Sequence, residues 1–358
     1  MDEQIRLSVI ETEKKYEYDY EENTYGENCV VSYGSDNRAP ILFKNCYRNS
    51  ATLKSIIDGT VNYVLGDDLV VNENAALFKE QINRGGMTMR QFIANLALSY
   101  EIYGGFAFQV IYTKLGTINE LFPLDFARCR TNEYGTKIYY SKKNWTKYQT
   151  KADEYDRFDP MHIDMEKGTQ IFYYKGDFTT NVYPLPPYFG ALKDVLTDIE
   201  CANYSLNSVS NGFAARYIFN MPEGGNFTDE QKRLIEESIK KKFCGSNADA
   251  NFMLYWGDGD QGMTISKIEA DDVPEQYINI KDNARTNIFI SMRATPLLFG
   301  LPNVSNGFST TEYRDSYKIF DRNVVQPIRD IIRESLEKVL GKDCISIVPY
   351  TMKFDEEA

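Results

Sequence analysis

The 358-residue sequence contains a single histidine, His162, and two tryptophans. One imidazole per chain rules out a histidine metal cluster built within one chain. A Ser-His-Asp or Cys-His site would have to use His162 itself. That residue lies in polar sequence, RFDPMHIDMEKG, between Asp159 and Asp164. No Ser sits in a G-x-S-x-G elbow, and no phosphate-binding Walker loop occurs. Six cysteines (29, 46, 129, 201, 244 and 344) show no metal-ligand spacing and are read as reduced thiols. No apolar run approaches the about 18 residues of a membrane helix. The first thirty residues are charged, so neither a leader peptide nor a membrane partner is expected. Basic residues are also the minority: 40 Lys and Arg against 52 Asp and Glu give a formal charge of −12. A protein that grips DNA by neutralising phosphates needs clustered cations. A negative wall instead repels a polyanion and lets it slide.

What is present is apolar and aromatic. Hydrophobic residues make up 42%, enough for a sizeable core, and 26 Tyr and 21 Phe bring flat area with polar tips suited to wet or large interfaces. A tyrosine-biased genome would give the same composition. The segment WGDGDQGMTISKIEA puts Asp258, Asp260 and Glu269 at positions 1, 3 and 12 of a calcium-loop frame, but Gly262 and Met263 stand where a ligand and the turn glycine belong. A hairpin turn between two β-rich runs is the better reading. No metal and no cofactor are expected.

Residues 1–45 are polar with weak periodicity and are read as an arm. Helical spacing follows over 50–66, with Leu53, Ile56, Ile57, Thr60, Val61 and Val64 on one face and Gly66 as a stop. Thr88 opens a T-x-x-Q capping box with Gln91, and the helix ends at Gly104-Gly105. The period then becomes two. Phe106, Phe108, Val110 and Tyr112 mark a half-buried strand. Turns at Leu115-Gly116 and Tyr134-Gly135 and a strand over 169–176 complete a small antiparallel sheet. A Pro-rich hinge at 183–192 enters a helix of about 23 residues. A β-α-β-β insert spans roughly 214–270, its last two strands read as a hairpin. A second helix covers 274–294. Pro296, Gly300, Pro302 and Gly307 then break the chain before a long helix that runs to about 340, with Ser309 and Glu312 as its S-x-x-E start. Its apolar face is read as Tyr313, Tyr317, Phe320, Val324, Ile328, Ile331 and Leu336. Pro327 within it predicts a kink. Arg314, Lys318, Arg322, Arg329 and Arg333 form a second face. It reads either as a solvated face with local ion pairs or as a basic stripe at a subunit seam or channel. The fold class is α+β.

Two long helices flanking a β-α-β-β insert, then a Pro/Gly loop and a long helix containing proline, resemble the portal proteins of tailed bacteriophages. The local sequences that carry this are YGGFAFQVIYTKLGTINELFPLDFARCRTNEYGTKIYY, PPYFGALKDVL, RTNIFISMRATPLLFGL and NGFSTTEYRDSYKIFDRNVVQPIRDII. The order of these segments over about 50–340 carries the resemblance. It implies an N-terminal arm (1–45), an α+β wing (46–187), stem helix 1 (188–213), a clip (214–271), stem helix 2 (272–295) and a tunnel loop (296–309). A kinked channel helix with a short C-terminal wing or crown segment (310–358) would follow. The resemblance further implies a non-enzymatic subunit of a cyclic homo-oligomer, usually of twelve, at the portal vertex of a virion and assembled in the host cytoplasm. Its partners would be the large terminase, neck adaptor and tail proteins, and the major capsid or scaffold protein. Double-stranded DNA would pass through without sequence-specific binding. Leu301, Pro302, Asn303, Val304, Ser305, Asn306, Gly307, Phe308 and Ser309 would narrow the tunnel. Tyr217, Phe219, Phe252, Leu254, Trp256, Asp258 and Asp260 would face partners from the clip. The rival readings are another head or neck component, or a carboxylate-metal nuclease or hydrolase using pairs such as Asp67-Asp68 and Asp271-Asp272.

Overall fold

The structure is a computed structural model. It describes residues 20–25, 30–146, 151–164, 166–176, 179–180, 182–210, 216–222, 228, 230, 233–234, 252–257, 264–268, 273–301 and 310–351. The chain divides into two compact units, 1–193 with 289–358, and 194–288.

The first unit opens with a short antiparallel pair, β1 (Thr24–Tyr25) and β2 (Val30–Val31). Val30, Val31 and Tyr33 are buried, and helix α1 (Ala39–Asn49) follows within the stretch expected to be an arm. α1 buries Ala39, Pro40, Phe43 and Cys46, which fall at helical spacing on one face. Ser50 ends α1 and starts α2 (Ala51–Leu65), its hydroxyl accepting from the Leu53 N–H at 3.1 Å. All six residues expected on the inner face of α2 are buried. Gly66 closes the helix at φ 60°, where a Cβ would lie 2.0 Å from the Val348 carbonyl oxygen. After β3 (Asp68–Val71), helix α3 (Met89–Tyr103) begins with the predicted box. Thr88 Oγ1 accepts from Gln91 N–H at 3.2 Å, and Gln91 Oε1 from Thr88 N–H at 3.0 Å.

The following strands form two three-stranded antiparallel sheets instead of the single one expected. β4 (Gly105–Tyr112) lies between β5 (Ile118–Pro123) and β9 (Thr169–Lys175). The other sheet is β6 (Cys129–Thr131), β7 (Lys137–Tyr140) and β8 (Asp153–Asp156). The division falls at a 3-10 turn, Phe126–Arg128, capped by Asp125, which also holds Lys44 of α1 at 2.8 Å. The strand alternation in β4 buries Phe106, Phe108, Val110 and Tyr112. Phe106 stacks on Tyr174 at 5.0 Å, Phe108 on Phe172 at 4.8 Å, and Phe92 of α3 meets Phe108 edge-on at 5.3 Å.

A buried cation fastens the N-terminal residues to this unit. Arg130 is fully buried. It donates to the backbone oxygens of Asn37, Ala127 and Cys129 and to Asn37 Oδ1. The guanidinium also lies over Trp145 at 5.2 Å and Tyr33 at 5.6 Å. No carboxylate pairs with it among the described residues. Carbonyl dipoles and ring faces replace the lost hydration.

The second unit holds most of α4 (Leu192–Ser210), strands β10 (Arg216–Pro222), β11 (Phe252–Gly257) and β12 (Thr264–Ile268), and most of α5 (Val273–Ser291). The hairpin expected of β11 and β12 does not form. β10 is central, parallel to β11 and antiparallel to β12. A parallel pair needs a crossover of about a dozen residues or more, and the chain between β10 and β11 supplies one. β11 therefore occupies one edge of β10 and β12 the other.

The chain returns to the first unit for α6 (Thr310–Phe320), a π-helical turn (Asp321–Val325), α7 (Gln326–Leu340) and β13 (Ile345–Val348). β13 pairs antiparallel with β3, Ile345 opposite Val71. Pro327 is at the start of α7, immediately after the π turn. The Gln326 N–H reaches back five residues to the Asp321 carbonyl. Pro327, which has no N–H to donate, thus follows directly on the widened turn.

Candidate functional site

The extra residue of the π turn decides which side chains of the long helix share a face. One inserted residue rotates everything after it by about 100° relative to a continuous α-helix. Before the turn Tyr317 and Phe320 are buried; Val325 is buried at its end, and after it the buried apolar set is Ile328, Ile332, Leu336 and Val339. Val324 and Ile331, expected on the inner face, are displaced from it. The five basic residues are divided in the same way. Lys318 makes a local pair with Asp315 at 3.7 Å, and Arg333 with Asp330 at 2.9 Å. Arg322 is exposed.

Arg329 leaves the stripe altogether. It is 4% exposed and donates to the Val64 carbonyl at 3.0 Å, the Tyr63 carbonyl, and Asp321 Oδ1 at 3.0 Å. Tyr63 and Val64 belong to the last turn of α2, where carbonyls lack the usual i+4 donor; Tyr63 has only the Gly66 N–H at 3.2 Å. Arg90 takes the next two, Leu65 at 3.3 Å and Gly66 at 2.8 Å. Two guanidinium groups therefore close the negative end of α2. Through Asp321, Arg329 also ties the π turn to that end; Tyr317 donates to the same Asp321 oxygen at 3.2 Å. Residue spacing carries no signal for this clamp, because its partners are about 265 positions away in the chain.

The second unit presents a different kind of surface. α4 and α5 run antiparallel: Asn287 donates to Asp194 at 2.8 Å near one end, while Tyr277 bonds Ser205 at 2.6 Å and the Cys201 carbonyl near the other. Val195, Cys201, Ala284 and Ile288 are buried. On the same two helices Tyr204, Leu206, Ile278 and Ile280 stand exposed, Leu206 at 65%. Tyr204 and Leu206, like Ile278 and Ile280, are two residues apart, so these side chains leave apolar area on more than one side of the helix pair.

The remaining expected site residues fall as follows. Leu301 is exposed just beyond the 3-10 turn Pro296–Phe299. Pro302, Asn303, Val304, Ser305, Asn306, Gly307, Phe308 and Ser309 lie outside the described residues, as do Asp258 and Asp260. Strand register places Tyr217 opposite Phe252 and Phe219 opposite Leu254, with Trp256 opposite Met221. Asp67 and Asp68 serve β-strand ends, Asp67 accepting from the Thr351 N–H at 2.8 Å and Asp68 from the Leu69 N–H at 2.8 Å. Among the described residues no three His, Cys, Asp or Glu side chains are grouped to hold a metal ion. None of the described helices is long and apolar enough to cross a membrane.

Two long helices flank a small mixed sheet, and a long helix with a π turn follows. Comparison with known proteins gives this arrangement a family. The model of the phage portal protein family matches residues 66–358, and the chain belongs to that family. It is 26% identical over 183 residues to the probable portal protein of Escherichia phage P2, an alignment covering 51% of this chain. The chain spans about half (52%) of the length of that curated relative. Among solved structures, a chain from the virion of a native gene transfer agent particle superposes with a TM-score of 0.57 at 15% identity, covering 87% of this chain and 84% of that one. A chain from the neck of a native gene transfer agent particle, computed with C12 symmetry, gives 0.53 at 17% identity over 88% and 84%. An HK97-family phage portal protein from Corynebacterium diphtheriae gives 0.52 at 12% identity over 84% and 90%. At these identities the likeness is one of fold.

Proposed function

We propose that this chain is the subunit of a closed ring at one capsid vertex, a conduit through which DNA enters and leaves the particle. The observation that carries this reading is the exposed apolar surface of α4 and α5 in a member of the portal family. A ring buries such a surface by a heterologous contact, one face of each copy against a different face of the next. The C12 neck of the gene transfer agent gives twelve as the expected number. In this reading 46–187 form the wing, 188–213 and 272–295 the stem, 214–271 the clip, 296–309 the tunnel loop and 310–358 the channel helix with its C-terminal segment. Arg314 and Lys318 before the π turn and Arg322 within it are the cations this reading assigns to a seam or the channel. Arg333 lies after the turn, and Arg329 is excluded by its burial. The clip would dock the large terminase and later the neck adaptor, with the capsid or scaffold protein around the wing. A net charge of −12 suits a wall past which DNA slides. The subunit carries no catalytic site in this reading, and packaging energy comes from the terminase.

The test is interface charge. Leu206→Glu and Ile278→Glu place carboxylates in the seam without touching the buried residues of either helix. Each should leave the circular dichroism spectrum and melting temperature of the subunit unchanged and abolish the ring in sedimentation velocity. Rings of wild-type size in both variants would refute this assignment of the seam.

A further inference from the structure

One side chain of the first unit violates the rule that buried polar groups are paired. Glu101, on α3, is 2% exposed, and it makes no hydrogen bond or ion pair among the described residues. Its Oε2 is fully enclosed without a partner. An unpaired buried carboxyl is costly as a charge, so burial pushes its pKa up to about 8. The group is not sealed in a dry core. It lines a cleft of about 450 Å³ whose other walls include Tyr100, Phe189, Met292 and Ile328. Apolar side chains share the lining with Thr179, Ser291 and Asn323, and the one carboxyl beside apolar walls suits an aliphatic stem ending in a cation.

The same cleft is lined by Arg293. This residue lies just after α5 in a left-handed conformation, φ 52°. Its backbone closes the helix, its N–H bonding the Ile290 carbonyl at 3.0 Å and that of Ala294 the Phe289 carbonyl at 2.9 Å. Glycine is the residue that takes this conformation freely. An arginine there accepts a cost of about 1–2 kcal/mol per left-handed residue to keep its side chain. That side chain is exposed and makes no hydrogen bond or ion pair among the described residues. Its charge is felt at Tyr100, the residue next to Glu101.

We propose that the cleft is the receptor for Arg293: its side chain folds over Tyr100, lays its stem along the apolar walls and pairs with Glu101. The pair is a latch between α3 and the exit of α5. It fixes the point from which the chain proceeds through Pro296–Phe299 to Leu301. Only the part this latch plays in placing the tunnel loop rests on the portal reading. Both residues belong to one compact unit of one chain, so the pairing itself is tested in the subunit without a ring.

Urea denaturation of the full chain between pH 5 and pH 9 decides it. With the latch closed, Glu101 is ionised and matched. In Arg293→Gln it is an unmatched buried carboxyl whose folded pKa lies above its unfolded value. The stability of that variant must then fall as pH rises from about 4.5 toward about 8. The tyrosines beside the group do not titrate in this window. Tyr100 is pushed up to about 12 and Tyr188 well above its usual value, both chiefly by burial. At pH 8.5 the folding equilibrium constant of Arg293→Gln should be on the order of a thousandfold below wild type, as a folded pKa of about 8 against an unfolded one near 4.5 requires. Arg293→Lys should restore most of the loss, and Arg293→Gln should have no further effect in an Glu101→Gln background. Equal stability of wild type and Arg293→Gln at pH 8.5, or the same Arg293→Gln effect with and without Glu101, overturns the latch. If Glu101→Gln does not fold, the Gln and Lys variants at 293 decide through their pH profiles alone.

Discussion

Replacing Arg329 by methionine keeps most of the side-chain volume and removes the clamp between the π turn and α2. Three acceptors lose their donor: the Tyr63 and Val64 carbonyls and Asp321 Oδ1. Among the described residues the Val64 carbonyl is left without a partner, the Tyr63 carbonyl keeps only the Gly66 N–H at 3.2 Å, and the Asp321 carboxylate loses its ion-pair partner and keeps the Tyr317 hydroxyl. Removing one partner of a buried pair costs about 3–5 kcal/mol, mostly because the other is left unsatisfied. For a unit of this size that corresponds to a fall in melting temperature of roughly 6–20 °C. The control is Arg322→Met, at an exposed position just before the rotated part of the helix, which should stay within about 0.5 kcal/mol of wild type. Calorimetry or a circular dichroism melt of both variants reads the difference. Similar melting temperatures for the two would refute the clamp. A variant at 329 that kept full stability and lost only assembly would return Arg329 to the surface stripe.

Gly66→Ala should cost more than about 2 kcal/mol, since the new Cβ would approach the Val348 carbonyl oxygen to 2.0 Å; a melt within 2 °C of wild type would contradict the close approach of β13 to α2. Thr88→Ala removes the N-cap hydroxyl of α3 and should cost about 1 kcal/mol in urea denaturation, with Thr88→Ser nearly neutral. Burial pushes the thiols of Cys46 and Cys129 up to about 12 and that of Cys344 up to about 11, so at pH 8 all three should resist iodoacetamide until the chain is denatured. Peptide mass spectrometry reads this site by site, and native labelling of any one of the three would show that its packing is wrong.

Elements whose information is local were legible in the sequence. The inner face of α2, the Thr88–Gln91 box and the alternation in β4 each follow from residues within one or two turns of chain, where spacing and burial are directly linked. What was hidden depends on distant partners. Nothing in Asp68–Val71 points to Ile345–Val348 as its pairing strand. The run GDGDQG signals a turn but does not state which edge of β10 the next strand takes. α1 carries a helical spacing at Ala39, Pro40, Phe43 and Cys46, which the polar residues before and between them obscure. Pro327 announced a disturbance in the long helix. The inserted residue upstream of it, and with it the new phase of Arg329 and Arg333, could not be read from spacing alone. Of the candidate site, the basic residues were visible as a group, while the two that cap α2, Arg90 and Arg329, became distinguishable only once the end of that helix was placed. Glu101 and Arg130 look like ordinary surface-type residues in the sequence, and only the fold encloses them.

The measurement that bears most directly on the ring is negative-stain electron microscopy of the purified chain combined with its solution mass. Closed rings of twelve copies or close to it, with a central hole wide enough for duplex DNA, are the expected result. A monomer or dimer at every protein concentration and ionic strength, with no closed ring, would contradict it.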